Sequence, residues 1–368
     1  MITNWWDSFL EKDLRFQVVI AFSVILLIVS IALFIIVLRL RARKSRADRK
    51  ASELIDQIEP IILSLIYEEE DEVDWDHEIV NLRNILTFSM YEFHSYARLS
   101  DYLIQLHKQL EGDSAKKIER IYRDLEMPPM TLKLLKDGKW HHKVKAISAL
   151  SEFRIKNYLF EVIQYMDHPQ RLVRDEAQFG AIVLGGKRAT GSIVKLNYEM
   201  SKWQQLRLIE QCAQLDDEIK SDVLSWMNSQ NESLIELALR MCIRMGWYEA
   251  IENIPRFISH KREEIRLLSV EAIGELGSAD LISELLHRFE VESRKVQIRT
   301  LMAIGELDAD GRASDFLRGQ IMYADYEVAL AAAHALYETT SDDEMREFSA
   351  RLEEDRVVLI EQVLYGAV

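Results

Sequence analysis

The chain has 368 residues, 48% hydrophobic and 29% charged, a balance that fits a folded protein and excludes a disordered or collagen-like one. Five prolines and thirteen glycines are few for this length, which favours helix over sheet. Two cysteines exclude a disulfide framework and fit a reducing compartment, and a net charge of −15 argues against nucleic acid as a general partner.

The charge is uneven. Residues 1–16 sum to −1 and residues 17–38 carry no charge. Residues 39–50 set Arg39, Arg41, Arg43, Lys44, Arg46, Arg49 and Lys50 against Asp48, a total of +6, which leaves −20 for residues 51–368. That acidity leaves room for a local basic groove but not for a basic face.

Gln17 to Leu38 is a run of 22 residues without charge, proline or glycine. At about 1.5 Å per residue it matches a hydrocarbon core roughly 30 Å thick, so a transmembrane helix is expected over 17–38. Trp5 and Trp6 precede it, as interfacial aromatics do, and the basic segment 39–50 follows. The positive-inside rule then makes residues 1–16 a short extracytoplasmic tail and puts Arg39 onward in the cytoplasm. A cleaved signal peptide has the opposite order, basic residues first and small residues at the exit. Ser23 and Ser30 can bond their own backbone and need not mark a helix contact. The basic run serves as topology signal and as a contact for anionic headgroups.

Residues 51–130 read as a helical cap region. Leu54, Ile55, Ile58, Ile61, Ile62 and Ile66 form one helical stripe, in which Pro60 is expected to kink the helix or mark its restart. Glu68 to Asp76 is a run of carboxylates beside His77-Glu78. Without fixed coordinating spacing it reads as a solvated loop, with Asp74 or Asp76 capping the next helix, rather than as a metal site. Helical patterns follow over 76–86, 89–110 and 114–125, and the dense aromatics Phe88, Tyr91, Phe93, Tyr96 and Tyr102 are assigned to the core. Met127-Pro-Pro-Met130 is expected to break the helices.

Residues 131–368 are periodic. Glu264-Ile-Arg-Leu-Leu-Ser-Val-Glu-Ala-Ile-Gly-Glu-Leu-Gly277 sets an apolar residue before a basic one, then spaced small residues and a closing Leu-Gly. Lined up on Ile265, copies are placed at His142, Val173, Leu206, Leu234, Val296 and Val328, with successive spacings of 31, 33, 28, 31, 31 and 32 residues. A helical pattern with that period predicts an α-solenoid of about seven two-helix repeats, the second helix of each carrying the signature. Ala146, Ala177, Ala238, Ser269, Thr300 and Ala332 let neighbouring helices approach, and Leu268, Leu276, Leu301 and Leu307 fill the layer between units. The Leu206 copy is the weakest, with Glu210 where a small residue belongs, and a bend or irregular packing is expected there.

Val173-Arg174, Ile265-Arg266, the spaced small residues and the terminal Leu-Gly resemble HEAT repeats in a short bacterial form. The resemblance implies an all-α chain in which the basic residue after the anchor ties adjacent units together. That role falls to Lys143, Arg174, Arg207 and Arg266, and lapses at Ile235, Gln297 and Ala329. The whole plan is similar to bacterial membrane proteins with one amino-terminal span and a cytoplasmic HEAT domain. Such proteins are regarded as scaffolds, some beside membrane enzymes such as polysaccharide-making glycosyltransferases.

Motifs for chemistry are weak. His77-Glu78 is the one His-Glu pair, whereas the metal-dependent hydroxylases of the HEAT class need several on facing helices. Gly185-Gly-Lys-Arg-Ala-Thr-Gly-Ser192 lacks the residue order of a phosphate loop, and Asp308-Ala-Asp-Gly-Arg312 lacks the closing Glu of a calcium loop. Both fall where turns between repeats belong. His141-His142 beside Trp140 reads as a polar helix start, and Cys212 and Cys242 as small buried hydrophobes. No catalytic, cofactor-binding or metal-ligating residue is expected.

The expected function is a non-enzymatic scaffold at the inner face of a bacterial cytoplasmic membrane. It would bind a membrane-associated protein partner through the second helices, with Arg240, Arg244, Glu271, Glu275 and Arg299 as candidate contacts. The alternatives are a membrane-bound enzyme or enzyme subunit with an unrecognised site, and a membrane sensor. The apolar end, Val357 to Val368, reads either as a closing helix or as a docking face.

Overall fold

A computed structural model of the protein describes residues 14–68, 73–87, 93–277 and 279–366. Trp5, Trp6, most of the 1–16 tail, Phe88, Tyr91 and the centre of the acidic run lie outside them. Among the described residues there is helix and no strand. The chain divides into two units, Met1–Met130 and Thr131–Val368.

In the first unit, α1 runs from Leu14 to Tyr67 as a single helix of 54 residues. The expected restart at Pro60 does not occur. Residues 39–51 are mostly Ala, Leu, Arg and Lys, all good helix formers, so nothing stops the helix after the apolar stretch. Pro60 withholds one donor from the Asp56 carbonyl, but buried side chains hold the helix on both sides of it: Leu54 and Ile58 before, Ile62, Leu65 and Ile66 after. Each aliphatic side chain fully buried this way is worth about 1.5–3 kcal/mol relative to exposure. Phe22–Arg39 is the opposite case. It is long and apolar enough to cross a membrane and is 0% buried.

The buried stripe of α1 packs against α2 (Trp75–Thr87), α3 (Phe93–Gln109) and α4 (Gly112–Asp124). Asp74 is the cap of α2, its Oδ1 accepting the His77 amide N–H at 3.1 Å. The Lys117 ammonium donates to the Glu68 carbonyl at 2.8 Å and the Ile66 carbonyl at 3.3 Å, satisfying groups left open at the carboxyl end of α1. Trp75 Nε1 donates to Asp124 Oδ2 at 2.9 Å, joining α2 to the end of α4. Tyr96 is in the core, as the aromatic density suggests.

The expected helix break at Met127-Pro-Pro-Met130 falls earlier. Leu125 and Glu126 make the turn, Glu126 at φ 55°, and α5 (Met127–Asp137) begins immediately after. The two prolines occupy its first turn, where their missing N–H groups cost no helical bond.

In the second unit the signature segments form α6 (Trp140–Glu152), α8 (Arg171–Gly185), α10 (Lys202–Ala213), α12 (Glu232–Met245), α13 (Glu263–Leu276), α15 (Arg294–Leu307) and α17 (Tyr326–Thr339). Each packs on the next in that order, and α17 packs on α19 (Glu354–Gly366). Between them lie shorter pieces: α7 (Leu159–Ile163), α9 (Lys187–Ile193), α11 (Lys220–Trp226), α14 (Ile282–Arg288), α16 (Ser314–Tyr323) and α18 (Asp342–Ser349). Between α12 and α13 the expected first helix is absent. Two 3₁₀ turns, Tyr248–Glu252 and Pro255–Phe257, stand in its place. Pro255 lacks the amide N–H that a continuous helix would use there.

Burial corrects the register of the weakest repeat. In the other well-formed copies the anchor and the residues four and eight later are buried, as in Val173, Ala177, Ala181 and Ile265, Ser269, Ile273. In α10 the buried triple is Gln204, Leu208, Cys212, while Leu206 is 50% exposed. The anchor is therefore Gln204, and the spacings become 31, 31, 30, 31, 31 and 32 residues. A buried glutamine is tolerated because its amide donates to the Asp175 carbonyl at 2.7 Å.

Close helix approach is built on glycine at two equivalent positions. A Cβ on Gly305 would lie 2.9 Å from Ala335 Cα, and one on Gly274 3.1 Å from Ala303 Cα. These glycines let α15 sit against α17, and α13 against α15. The apolar carboxyl end is packed: Leu359, Ile360 and Val363 of α19 are buried, and Arg356 donates to the Ala324 carbonyl at 2.9 Å.

Candidate functional site

The densest polar cluster joins α10, α12 and the start of α13. Glu232, Glu236 and Arg240 follow one another at four-residue intervals on α12, so they share one face. Glu236 is almost fully buried; it takes the Gln205 amide at 3.0 Å and the Arg262 guanidinium at 2.9 Å. Arg262 also reaches Glu199 at 3.1 Å and Glu232 at 3.2 Å, and Lys261 pairs with Glu232 at 3.0 Å. Glu264 accepts from Lys202 and Arg240, each at 2.8 Å.

Burial alone would raise the Glu264 carboxyl, but Lys202 and then Arg240 outweigh it and hold it below the ordinary carboxylate range. Glu232 is held low chiefly by Lys261, against the opposing effect of burial. Four carboxylates thus meet four cations. The opposite charges balance, and the cluster ties three helices together.

The five candidate contact residues fall into two sets. Arg240 pairs with Glu264 on the next helix, and Arg299 pairs with Glu306 of its own helix at 3.0 Å. Arg244 and Glu275 are exposed and Glu271 is half-buried, and none of the three has an ion pair among the described residues. The hidden set that the charge pattern missed is Glu236, Arg262 and Glu264. Its one visible trace is the four-residue spacing on α12.

The four residues assigned to tie adjacent units do different things. Lys143 donates to the Leu135 carbonyl at 2.6 Å and the Lys136 carbonyl at 2.9 Å, closing the helix just before its own. Arg174 donates to the carbonyls of His168 and Pro169, at 2.8 and 3.2 Å, and lies 4.2 Å from the Tyr198 ring centroid. Arg266 donates to the His260 carbonyl at 2.9 Å and pairs across to Glu292 at 2.8 Å. Their shared task is to satisfy carbonyls of the preceding turn, with a cross-unit contact added at all three, Lys143 lying 4.8 Å from the Tyr165 ring centroid. Arg207 is different: it pairs with Glu176 at 2.8 Å and stacks 3.7 Å from the Phe179 ring on α8. The register explains this, because the residue after the true anchor is Gln205 and Arg207 is two places further on. At Gln297, where the basic residue is lost, the amide still donates to the Phe289 carbonyl at 3.0 Å.

The remaining motifs have structural uses. Asp308 is fully buried, and its carboxylate accepts the amides of Arg312 and Ala313 at 2.7 Å each, which builds the turn after α15. Gly186, at φ 51°, separates α8 from α9. Cys212 and Cys242 are buried free thiols, both pushed up to about 12 by desolvation. Among the described residues no group of His, Cys, Asp and Glu is placed to hold a metal.

No family model and no curated protein matches the sequence. Two crystal structures of engineered proteins are similar to parts of the chain. One shares 14% identity over 58% of this chain and 96% of its own, with a TM-score of 0.31. The other shares 16% over 65% and 98%, also at 0.31. Likeness of that degree carries no inference about fold or function.

Proposed function

We propose that the chain is a membrane-tethered scaffold: a HEAT-like α-solenoid held at the inner face of a bacterial cytoplasmic membrane, binding a membrane-associated protein partner. The observation that carries this reading is the apolar stretch Phe22–Arg39, 0% buried, continuing without interruption into the helix that organises the first unit. A stretch so apolar is stable in lipid and costly in water. The basic residues after it orient the amino terminus outward and the rest inward.

The solenoid part of the reading is supported by the order of packing, each signature helix against the next, and by the even spacing of the buried anchors. A partner surface is supported by the side chains left over once the internal pairs are made. Arg244, Glu271 and Glu275 are unpaired, and Trp203 and Leu172 stand exposed on the adjacent helices α10 and α8. Confinement to a membrane raises the effective concentration of any partner in the same bilayer. By analogy with similar bacterial proteins, an enzyme that makes polysaccharide is a fitting partner.

Crosslinking in intact cells, followed by detergent extraction and mass spectrometry, tests the proposal. The full chain is compared with one lacking residues 1–50 and with the triple variant Arg244→Glu, Glu271→Lys, Glu275→Lys. Recovery of one membrane protein by the full chain, lost in both variants, supports the scaffold. Equal recovery by all three, or recovery of nothing specific, refutes it.

A further inference from the structure

A groove of about 980 Å³ opens where α6, α8 and α10 end. Arg154, Lys156, Lys187 and Arg188 line it, with the amides Gln211 and Gln214 and a single carboxylate, Glu218. All four cations are exposed, and none has a side-chain ion pair among the described residues. Nearby, Arg171, Arg207 and Lys220 are paired.

Regional charge points the same way. Residues 131–200 hold twelve Lys and Arg against seven Asp and Glu, whereas 201–368 hold eighteen against thirty-two. The groove is thus a basic site at the basic end of an otherwise acidic unit, where opposed field lines attract an anion locally and repel long polyanions.

The backbone supplies an independent sign. Arg154 has φ 50°, left-handed, in the position after α6 where the Ile155 amide reaches back to the Leu150 carbonyl at 2.9 Å. That hydrogen-bond pattern favours glycine in the left-handed place, and α12 uses one, Gly246 at φ 64°. Keeping a long cation in a conformation that glycine adopts freely is the kind of local strain found at binding sites.

We propose that this groove binds a phosphate-bearing anion, with Arg154, Lys156, Lys187 and Arg188 as the phosphate contacts. Arginine supplies planar paired donors for phosphate oxygens and lysine a compact charge. The volume suits a small molecule or a lipid headgroup. The site lies within the second unit and does not depend on the scaffold reading.

The test uses the full chain in nanodiscs. In neutral phosphatidylcholine discs, inorganic pyrophosphate is titrated calorimetrically, and amide exchange is followed over 154–156 and 185–188. The same segments are followed in phosphatidylglycerol discs without pyrophosphate. Protection by pyrophosphate assigns a soluble phosphate ligand; protection only in the anionic discs assigns a headgroup. Lys187→Gln with Arg188→Gln is expected to weaken whichever binding is seen at least tenfold. Arg154→Gly is expected to weaken it similarly while raising resistance to urea, a combination that loss of folding cannot produce. No protection in either arm, or binding that both variants leave unchanged, overturns the proposal.

Discussion

Gly305 and Gly319 are both helical glycines, yet the same substitution should move them in opposite directions. A Cβ on Gly319, in α16, meets nothing within 4 Å, so Gly319→Ala gains helix propensity and reduces the freedom of the unfolded chain. That is worth about 0.5–1 kcal/mol. Gly305→Ala gains the same term but puts a methyl 2.9 Å from Ala335 Cα and 3.3 Å from the Ala335 carbonyl oxygen. Backbone cannot step aside as a side chain can, and overpacking of this kind costs about 1–3 kcal/mol. The two variants should therefore differ by about 2 kcal/mol, or roughly thirtyfold in the local opening constant. Native-state amide exchange of the full chain reads this directly at α15–α17 and α16. If Gly305→Ala slows exchange across α15–α17, as Gly319→Ala should across α16, the close approach of α15 and α17 is wrong.

Three further outcomes follow from the packing and charge. Gln204→Ala should cost about 1–3 kcal/mol by removing its bond to the Asp175 carbonyl and leaving the buried Gln178 Oε1 without its donor, while Leu206→Ser should stay within about 0.5 kcal/mol; urea melts that reverse this order would refute the register. Glu264 has its folded pKa below its unfolded one, so its stabilisation is fully present above the unfolded value and drains as pH falls through the folded value. Arg240→Ala should move that acid loss to higher pH, read by circular dichroism, and an unmoved acid transition would refute the pairing. Cys212 and Cys242 should resist alkylation at pH 8 until the chain is unfolded; labelling of either at native rates would contradict their burial.

Apolar spacing made the signature helices legible in outline, because Ile265, Ser269 and Ile273 or Val296, Thr300 and Ile304 are core positions at helical intervals. The same rule misled at α10. It seized on apolar Leu206 because a buried glutamine is invisible to a hydrophobic pattern; only its hydrogen bond to Asp175 makes Gln204 a core residue. Proline rules misled over the break at Pro128-Pro129 and the restart at Pro60 for a related reason. They describe what proline removes, not whether a first turn or flanking packing makes the loss harmless, as at Pro128, Pro129 and Pro60. The ion-pair cluster and the basic groove were out of reach for another reason. Glu199 and Arg262, 63 residues apart, or Arg154 and Arg188, come together only after segments distant in sequence pack on one another.

The unbroken α1 has a mechanical consequence. If Phe22–Arg39 lies in the bilayer, the 28 residues after Arg39, through Tyr67, extend about 42 Å further at 1.5 Å per residue. Leu54 is the first buried side chain described along this part of the helix, about 15 residues or roughly 22 Å beyond Arg39. A flexible leash would let its cargo sample every height from the bilayer surface outward. A rod sets a minimum height, so a partner fused to a shorter stalk would miss its contact, and inserting or deleting helical turns in residues 40–52 should tune the meeting distance in steps of about 5.4 Å.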